Sequence, residues 1–374
     1  MGIRLTIFTT LFCLTTGILS AQGHFEDVDK FQLENQRHLI SSIDVSPDGK
    51  YLAVATVQGD PIYILDAATQ KTTATHDVDG YYAGPIIDYS SSGTYLLLEK
   101  QFYADWHMNK DKATKYEVMD SKTGKIIMKI ENAQDAQISP DESRIAVIKK
   151  DKLVVYGLPQ GNELIKKDIV GIKNALCYSL DGKNLFVTHK LTKEDAAEIP
   201  SLRNDKKAIK SAIKFQQGVS MFNSELLNRE RVFLERFDNV YDLKSNHDGT
   251  KVYCFSKMHT RVGTPNINQG NILMFDIKTG LLDRGGFVTN MMLTNYGASS
   301  NGRYFGLVSI DARSKIPIVQ ICDPATSDIL TYFNIDKGIF QGIKDGEFQG
   351  GQVELMKIIF HFTNLRLRNY FIMG

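Results

Sequence analysis

Short apolar runs punctuated by tight turns fill most of this chain, and the same turn returns again and again. Ser46-Pro47-Asp48-Gly49 leads into Tyr51-Leu52-Ala53-Val54-Ala55, and Ser90-Ser91-Ser92-Gly93 leads into Tyr95-Leu96-Leu97-Leu98. Ser139-Pro140-Asp141-Glu142 precedes Ile145-Ala146-Val147, and Ser179-Leu180-Asp181-Gly182 precedes Leu185-Phe186-Val187. Asn246-His247-Asp248-Gly249 precedes Val252-Tyr253-Cys254, and Ser299-Ser300-Asn301-Gly302 precedes Tyr304-Phe305-Gly306-Leu307. Runs of this length bounded by turn residues on both sides read as strands joined in hairpins. Proline presets the first turn dihedral, and Gly49, Gly93, Gly182, Gly249 and Gly302 supply the left-handed position. Glu142 stands where that glycine belongs, so the third turn is expected to differ or to be strained.

A second element follows most copies. Ile62 to Asp66 is followed by Thr69, Tyr116 to Asp120 by Thr123, Ile272 to Asp276 by Thr279, and Val319 to Asp323 by Thr326. This reads as a third strand ending in an Asp-x-x-Thr turn, in which Asp66, Asp120, Asp276 and Asp323 bond to turn amides. A short fourth strand is expected after each, for example over Lys125 to Ile130 or Leu281 to Phe287. An isolated four-stranded sheet leaves apolar surface on both faces, and radial packing against its neighbours covers them. The expected fold is therefore all-β, a β-propeller of six four-stranded blades over residues 22–349, with seven as the alternative count. Phe25 to Leu33 offers a strand to close the ring. Residues 350–374 match no repeat element and read as a divergent final strand or an abnormal C-terminal tail.

The unit resembles the WD-type propeller repeat and the related Tyr-Val-Thr-Asn and quinoprotein-like propellers of secreted proteins, over roughly residues 38 to 335. Leu65, Met119, Phe275 or Cys322 occupies the place of the WD tryptophan, and a Gly-His pair is not recognisable, so the resemblance is to the broad superfamily. It implies a fold and no single function.

Unit lengths are uneven. The span from turn glycine to strand-ending aspartate is short from Gly49 to Asp66 and longer from Gly93 to Asp120 and from Gly249 to Asp276. The fourth unit carries the longest insertion, about Leu191 to Gly218, whose charged, alanine-containing part suggests a short helix after Pro200. The insertions at Lys100 to Lys115, Leu191 to Gly218 and Lys257 to Gly270 all join second to third strands, so a propeller places them on one face. Loops over a rigid scaffold are where binding residues gather. Phe102, Tyr103, Trp106 and His107 form an aromatic cluster on the first, and His259 and Arg261 lie on the third. These six are the binding-face candidates.

Charge narrows the partners. With 44 Lys+Arg against 43 Asp+Glu the chain carries +1, leaving no net field to hold nucleic acid. At 43% hydrophobic residues there is ample material for a core. Residues 1–21 combine Arg4, an apolar stretch and the small-residue end Ser20-Ala21, the three parts of a secretory signal. Export to the periplasm or the extracellular space is expected, without stable membrane insertion. Cys177, Cys254 and Cys322 fall in apolar runs and read as isolated buried thiols. The histidines are scattered, and no metal-site, nucleophile-elbow or phosphate-loop motif occurs, so neither a metal nor another cofactor is expected. The expected role is a non-catalytic scaffold binding a protein partner, a small molecule or a glycan. The alternative is a propeller enzyme resembling secreted lactonases or quinoprotein dehydrogenases, with its site at the central channel.

Overall fold

The computed structural model describes residues 40–56, 61–69, 71–78, 85–100, 114–237, 239–246, 248–259, 268–284, 292–298, 305–310, 317–323 and 328–334. The secretory segment, the Phe25 to Leu33 strand and the tail lie outside them. Within them the chain is mostly β, with its strands in five antiparallel sheets.

The first unit pairs β1 (Ile40–Val45), β2 (Tyr51–Thr56), β3 (Ile62–Asp66) and β4 (Thr72–His76) in sequence order. The next sheet has seven strands: β5 (Ile86–Tyr89), β6 (Tyr95–Lys100), β7 (Thr114–Asp120), β8 (Ile126–Ile138), β9 (Arg144–Lys149), β10 (Lys152–Gly157) and β11 (Glu163–Asp168). Here the expectation of separate four-stranded units is corrected. The first half of β8 pairs with β7 as the last strand of unit 2, and its second half pairs with β9 as the first strand of unit 3. No glycine or proline interrupts Lys125 to Ser139, so the strand runs on. The change of partner is made at Asn132, which adopts a φ of 55° beside a register shift.

The fourth unit is β12 (Ile172–Tyr178), β13 (Asn184–Lys190), β14 (Gln217–Asn223) and β15 (Arg229–Val232). Between β13 and β14 stand α1 (Lys193–Glu198), a 3-10 turn at Pro200–Leu202 and α2 (Lys206–Phe215). The insertion thus holds a helix on each side of Pro200, where the sequence suggested one after it. Thr192 and Asp195 form a reciprocal capping box on α1, and Asp205 accepts from the amides of Lys207 and Ala208 to cap α2. Leu191, Ala196, Ile199, Leu202 and Ala212 give the insertion a small core of its own. The fifth unit is β16 (Asn239–Ser245), β17 (Lys251–His259), β18 (Asn268–Asp276) and β19 (Leu282–Arg284), and the sixth is β20 (Met292–Ala298), β21 (Phe305–Ile310), β22 (Pro317–Asp323) and β23 (Asp328–Asn334).

The cores lie between consecutive units. Ala53, Ile62 and Ile64 of unit 1 pack on Ile87, Leu96 and Met119 of unit 2. Leu97 and Val118 of unit 2 meet Ile145 and Val147 of unit 3, and Ile148 and Val155 of unit 3 meet Leu185 and Val187 of unit 4. Between units 4 and 5 the rings of Phe186, Phe233, Phe275 and Phe237 follow one another with centroids 5.9, 5.3 and 5.6 Å apart. Middle strands such as β2 and β9 are therefore apolar on both faces, while the edge strand β11 is mostly exposed and carries Lys166 and Lys167, which discourage further pairing. Cys177 and Cys254 are free, buried thiols in the core between units 4 and 5.

The recurring turn has a chemical basis. Ser46 Oγ donates to Asp48 Oδ1 at 2.7 Å and accepts from the Tyr51 amide at 2.9 Å, while Asp48 Oδ1 accepts from the Lys50 amide at 3.0 Å. Ser139 with Asp141, Ser179 with Asp181, and Asn246 with Asp248 repeat it. Glu142 adopts a φ of 60° at the glycine position, and its carboxylate accepts from Ser92 N at 2.6 Å and Ser92 Oγ at 2.7 Å in the neighbouring unit. The third turn keeps the common shape and offsets its strain with these bonds. The aspartates that end third strands behave alike: Asp66, Asp120 and Asp276 each accept from the amide and hydroxyl of the Thr three residues on.

Candidate functional site

The first strand of each unit has one unpaired edge, whose amides need acceptors when they are shielded from water. The structure supplies these from the preceding unit in a fixed register. Ser42 Oγ accepts from Ile87 N at 3.2 Å, and Asp44 Oδ2 accepts from Tyr89 N at 2.6 Å. Two units later Asp135 Oδ2 accepts from Leu176 N at 2.8 Å, and Gln137 Oε1 accepts from Tyr178 N at 2.7 Å. These acceptors stand four and two residues before the turn Ser or Asn of their unit. In unit 4 those positions hold Ala175 and Cys177, which cannot serve, and Gln217 Oε1 accepts from Val240 N at 3.0 Å instead.

The same positions in units 2 and 5 hold Asp88, Asp242 and Lys244. Asp88 is exposed and makes no such cross-unit bond among the described residues. Lys244 Nζ lies 3.8 Å from Asp242 Oδ2, their side chains being 38% and 27% exposed. Asp44, Asp135 and Lys244 are each half-buried.

Their electrostatics tie distant units together. Burial, and next the Asp88 carboxylate, push Asp44 from 3.8 up to about 7, against the amides of Tyr89 and Val45 and the charge of Lys244. Burial raises Asp135 well above the carboxylate range, helped by the charges of Glu99 and Asp242 and opposed by the Leu176 and Ala136 amides. Lys244 is held in its charged form chiefly by Asp242, against burial, with Asp88 and Asp135 contributing. Charges on units 1, 2, 3 and 5 thus act on one another across the molecule. A carboxyl that titrates near neutrality beside a lysine and further carboxylates can bind hydroxyl or amino groups and can give or take a proton. Among the described residues no three His, Cys, Asp or Glu side chains gather closely enough to hold a metal ion.

The candidates read from the loops fall elsewhere. Phe102, Tyr103, Trp106, His107 and Arg261 lie outside the described residues. His259 is the last residue of β17, paired with Asn268 at the start of β18, so strands reach further into the third insertion than its composition suggests. At the root of the first insertion, Lys100 forms a fully buried ion pair with Glu117, which also lies 3.7 Å from Lys115 and 3.8 Å from Lys129. The first-strand group was missed by motif searching, because each unit contributes only one or two of its members. Aligning the repeats by position exposes it: Asp44, Asp88, Gln137, Cys177 and Lys244 share one column.

No family model matches the chain, and no curated protein matches it. Among solved structures it is similar to a chain of the hydrazine synthase of Kuenenia stuttgartiensis, at 16% identity and a TM-score of 0.51, over 78% of this chain and 80% of that one. In all, 1419 chains of solved structures resemble it, a breadth that identifies architecture and no single activity. The chain therefore has a mostly-β fold of stacked antiparallel sheets related to that of a propeller-bearing protein.

Proposed function

We propose that the six units close into an exported propeller and that a small polar molecule binds at its axis, against Asp44, Asp88, Asp242 and Lys244. Closure is supported by the second face of unit 1, where Ile43, Leu52 and Val54 are buried although unit 2 covers only the opposite face. The observation that carries the site is the convergence of charged first-strand side chains from units 1, 2, 3 and 5. Carboxyls and an ammonium set together favour a ligand bearing hydroxyl or amino groups. Asp44, ready to exchange a proton near neutrality, makes acid–base catalysis there a stronger reading than a purely protein-binding scaffold. That a similar fold occurs in a protein titled a synthase agrees with this reading. The loop-face reading keeps one point in its favour, since the Leu191 to Gly218 insertion is built as a compact unit with Lys206, Lys207, Lys210 and Lys214 exposed on α2.

The axial site is tested by native mass spectrometry of protein purified from its own source, followed by denaturing extraction of small molecules. A compound retained by the wild type and lost from Lys244→Met supports the axial site. No retained compound, or one held equally by the variant, overturns it.

A further inference from the structure

Where the helical insertion leaves and rejoins unit 4, four polar side chains are gathered in one network. The His189 ring on β13 has Nδ1 2.9 Å from the carbonyl of Lys190 and Nε2 2.6 Å from Ser220 Oγ on β14. A neutral ring that donates from Nδ1 presents Nε2 as an acceptor, so the Ser220 hydroxyl donates to it. Ser220 Oγ in turn accepts from Arg229 Nε at 3.0 Å, and Arg229 Nη2 reaches Asp195 Oδ1 on α1 at 2.5 Å. The other oxygen of Asp195 accepts from Thr192 N at 3.2 Å, closing the capping box that begins the insertion. The imidazole also packs over Gly218, where an added Cβ would meet its Cε1 at 3.3 Å and Leu191 Cδ2 at 2.8 Å.

A serine, a histidine and an aspartate in one place invite comparison with a nucleophilic triad, and the geometry excludes it. Ser220 is fully buried, and its oxygen already receives the Arg229 donor. The Nδ1 proton of His189 goes to a carbonyl, leaving Asp195 Oδ2 at 3.9 Å, beyond hydrogen-bond reach. The network joins unit 4 to the helical insertion through Arg229 and Asp195, and its serine is sealed from solvent.

We propose that His189 is an acid-operated latch whose protonation reverses its bond to Ser220, sets an imidazolium against Arg229, and so loosens the helical insertion that Arg229 holds to unit 4 through Asp195. A proton on Nε2 turns that nitrogen into a donor. The Ser220 hydroxyl then loses its acceptor inside a site that water does not reach, and an imidazolium faces the Arg229 guanidinium. Of the charged groups around the ring, the Asp195 carboxylate on α1 favours the proton and Arg229 on β15 opposes it. Lys190 presents its carbonyl to the ring and its side chain to solvent. Burial, first, and then Arg229 hold the pKa of His189 below its ordinary value of 6.5, against the Lys190 carbonyl and Asp195. A histidine with a lowered value in the closed form takes up its proton more readily when opened. The latch therefore holds above 6.5 and weakens as pH falls below it.

Hydrogen exchange tests this on the full chain at about pH 7.5 and about pH 5.5, after correction for intrinsic rates. Amides of α1 and α2 in the wild type should open up to about tenfold more at the lower pH, relative to those of β9 and β10, for one pH unit of linked titration. His189→Gln, whose carbonyl can accept from Ser220 and does not titrate, should show no such change. Equal acceleration in both proteins, or none in the wild type, overturns the proposal. Should the variant fail to fold, the wild-type ring is titrated by NMR: a midpoint below 6.5 supports the latch, and one at or above it refutes it.

Discussion

Replacing Asp44 by asparagine asks whether this carboxyl holds its proton near neutrality, and it predicts a change of sign. Its value rises from 3.8 to about 7, and at about 1.4 kcal/mol per pH unit the full ionisation of Asp44 destabilises the fold by ~4 kcal/mol. The folded state binds the proton more tightly than the unfolded one. Stability contributed by the protonated group is thus complete at low pH and is lost as pH rises through the interval between those two values. The side-chain amide introduced by Asp44→Asn does not titrate, but it replaces one of two acceptor oxygens. Oδ1 accepts from Val45 N at 2.8 Å and Oδ2 from Tyr89 N at 2.6 Å, so one amide loses its partner at a cost of ~1–3 kcal/mol. At about pH 4 the variant should be less stable than the wild type by that amount. At about pH 8 the ionisation cost of the wild type exceeds it, and the variant should be more stable by ~2 kcal/mol. Denaturant midpoints at the two pH values, converted with the measured slopes, give both differences. The same sign at both would refute the raised value, and with it Asp44 as a proton carrier.

Two further substitutions test the packing and the turns. Phe275→Ala removes a fully buried ring in contact with Phe233 and Phe237 between units 4 and 5, and should cost ~3–5 kcal/mol in denaturant unfolding. A loss below about 1 kcal/mol would mean that these units do not share a core. Glu142→Ala keeps a side chain at a φ of 60° and gives up both bonds to Ser92, whereas Glu142→Gly gives up the same bonds and relieves the strain. The glycine variant should be the more stable of the two by ~1 kcal/mol in thermal melts, and the reverse order would remove strain from the account of this turn.

The sequence by itself determined the local structure. Ser46, Asp48 and Gly49 specify their turn through bonds closed within six residues, and Asp66 with Thr69 does the same at a third-strand end, so each copy is legible wherever it recurs. It also showed that units stack, because strands such as Leu52 to Ala55 are apolar on both faces and need a cover on each side. Tertiary structure decided everything that depends on one unit meeting another. Nothing local marks β8 as shared between two sheets, because the absence of a breaker after Ile130 is a weak signal beside the pairing of its two halves with different partners. Asp44 reads in sequence as an ordinary polar strand residue. It is an amide acceptor because Tyr89 lies opposite, and it holds its proton more tightly than an ordinary carboxyl because burial and Asp88 raise its affinity. Likewise His189, Asp195, Ser220 and Arg229 become one network only when the insertion folds back onto unit 4. Turn chemistry is short-ranged and is written in adjacent residues. Desolvation and cross-unit charge depend on distances that only the assembled sheets fix.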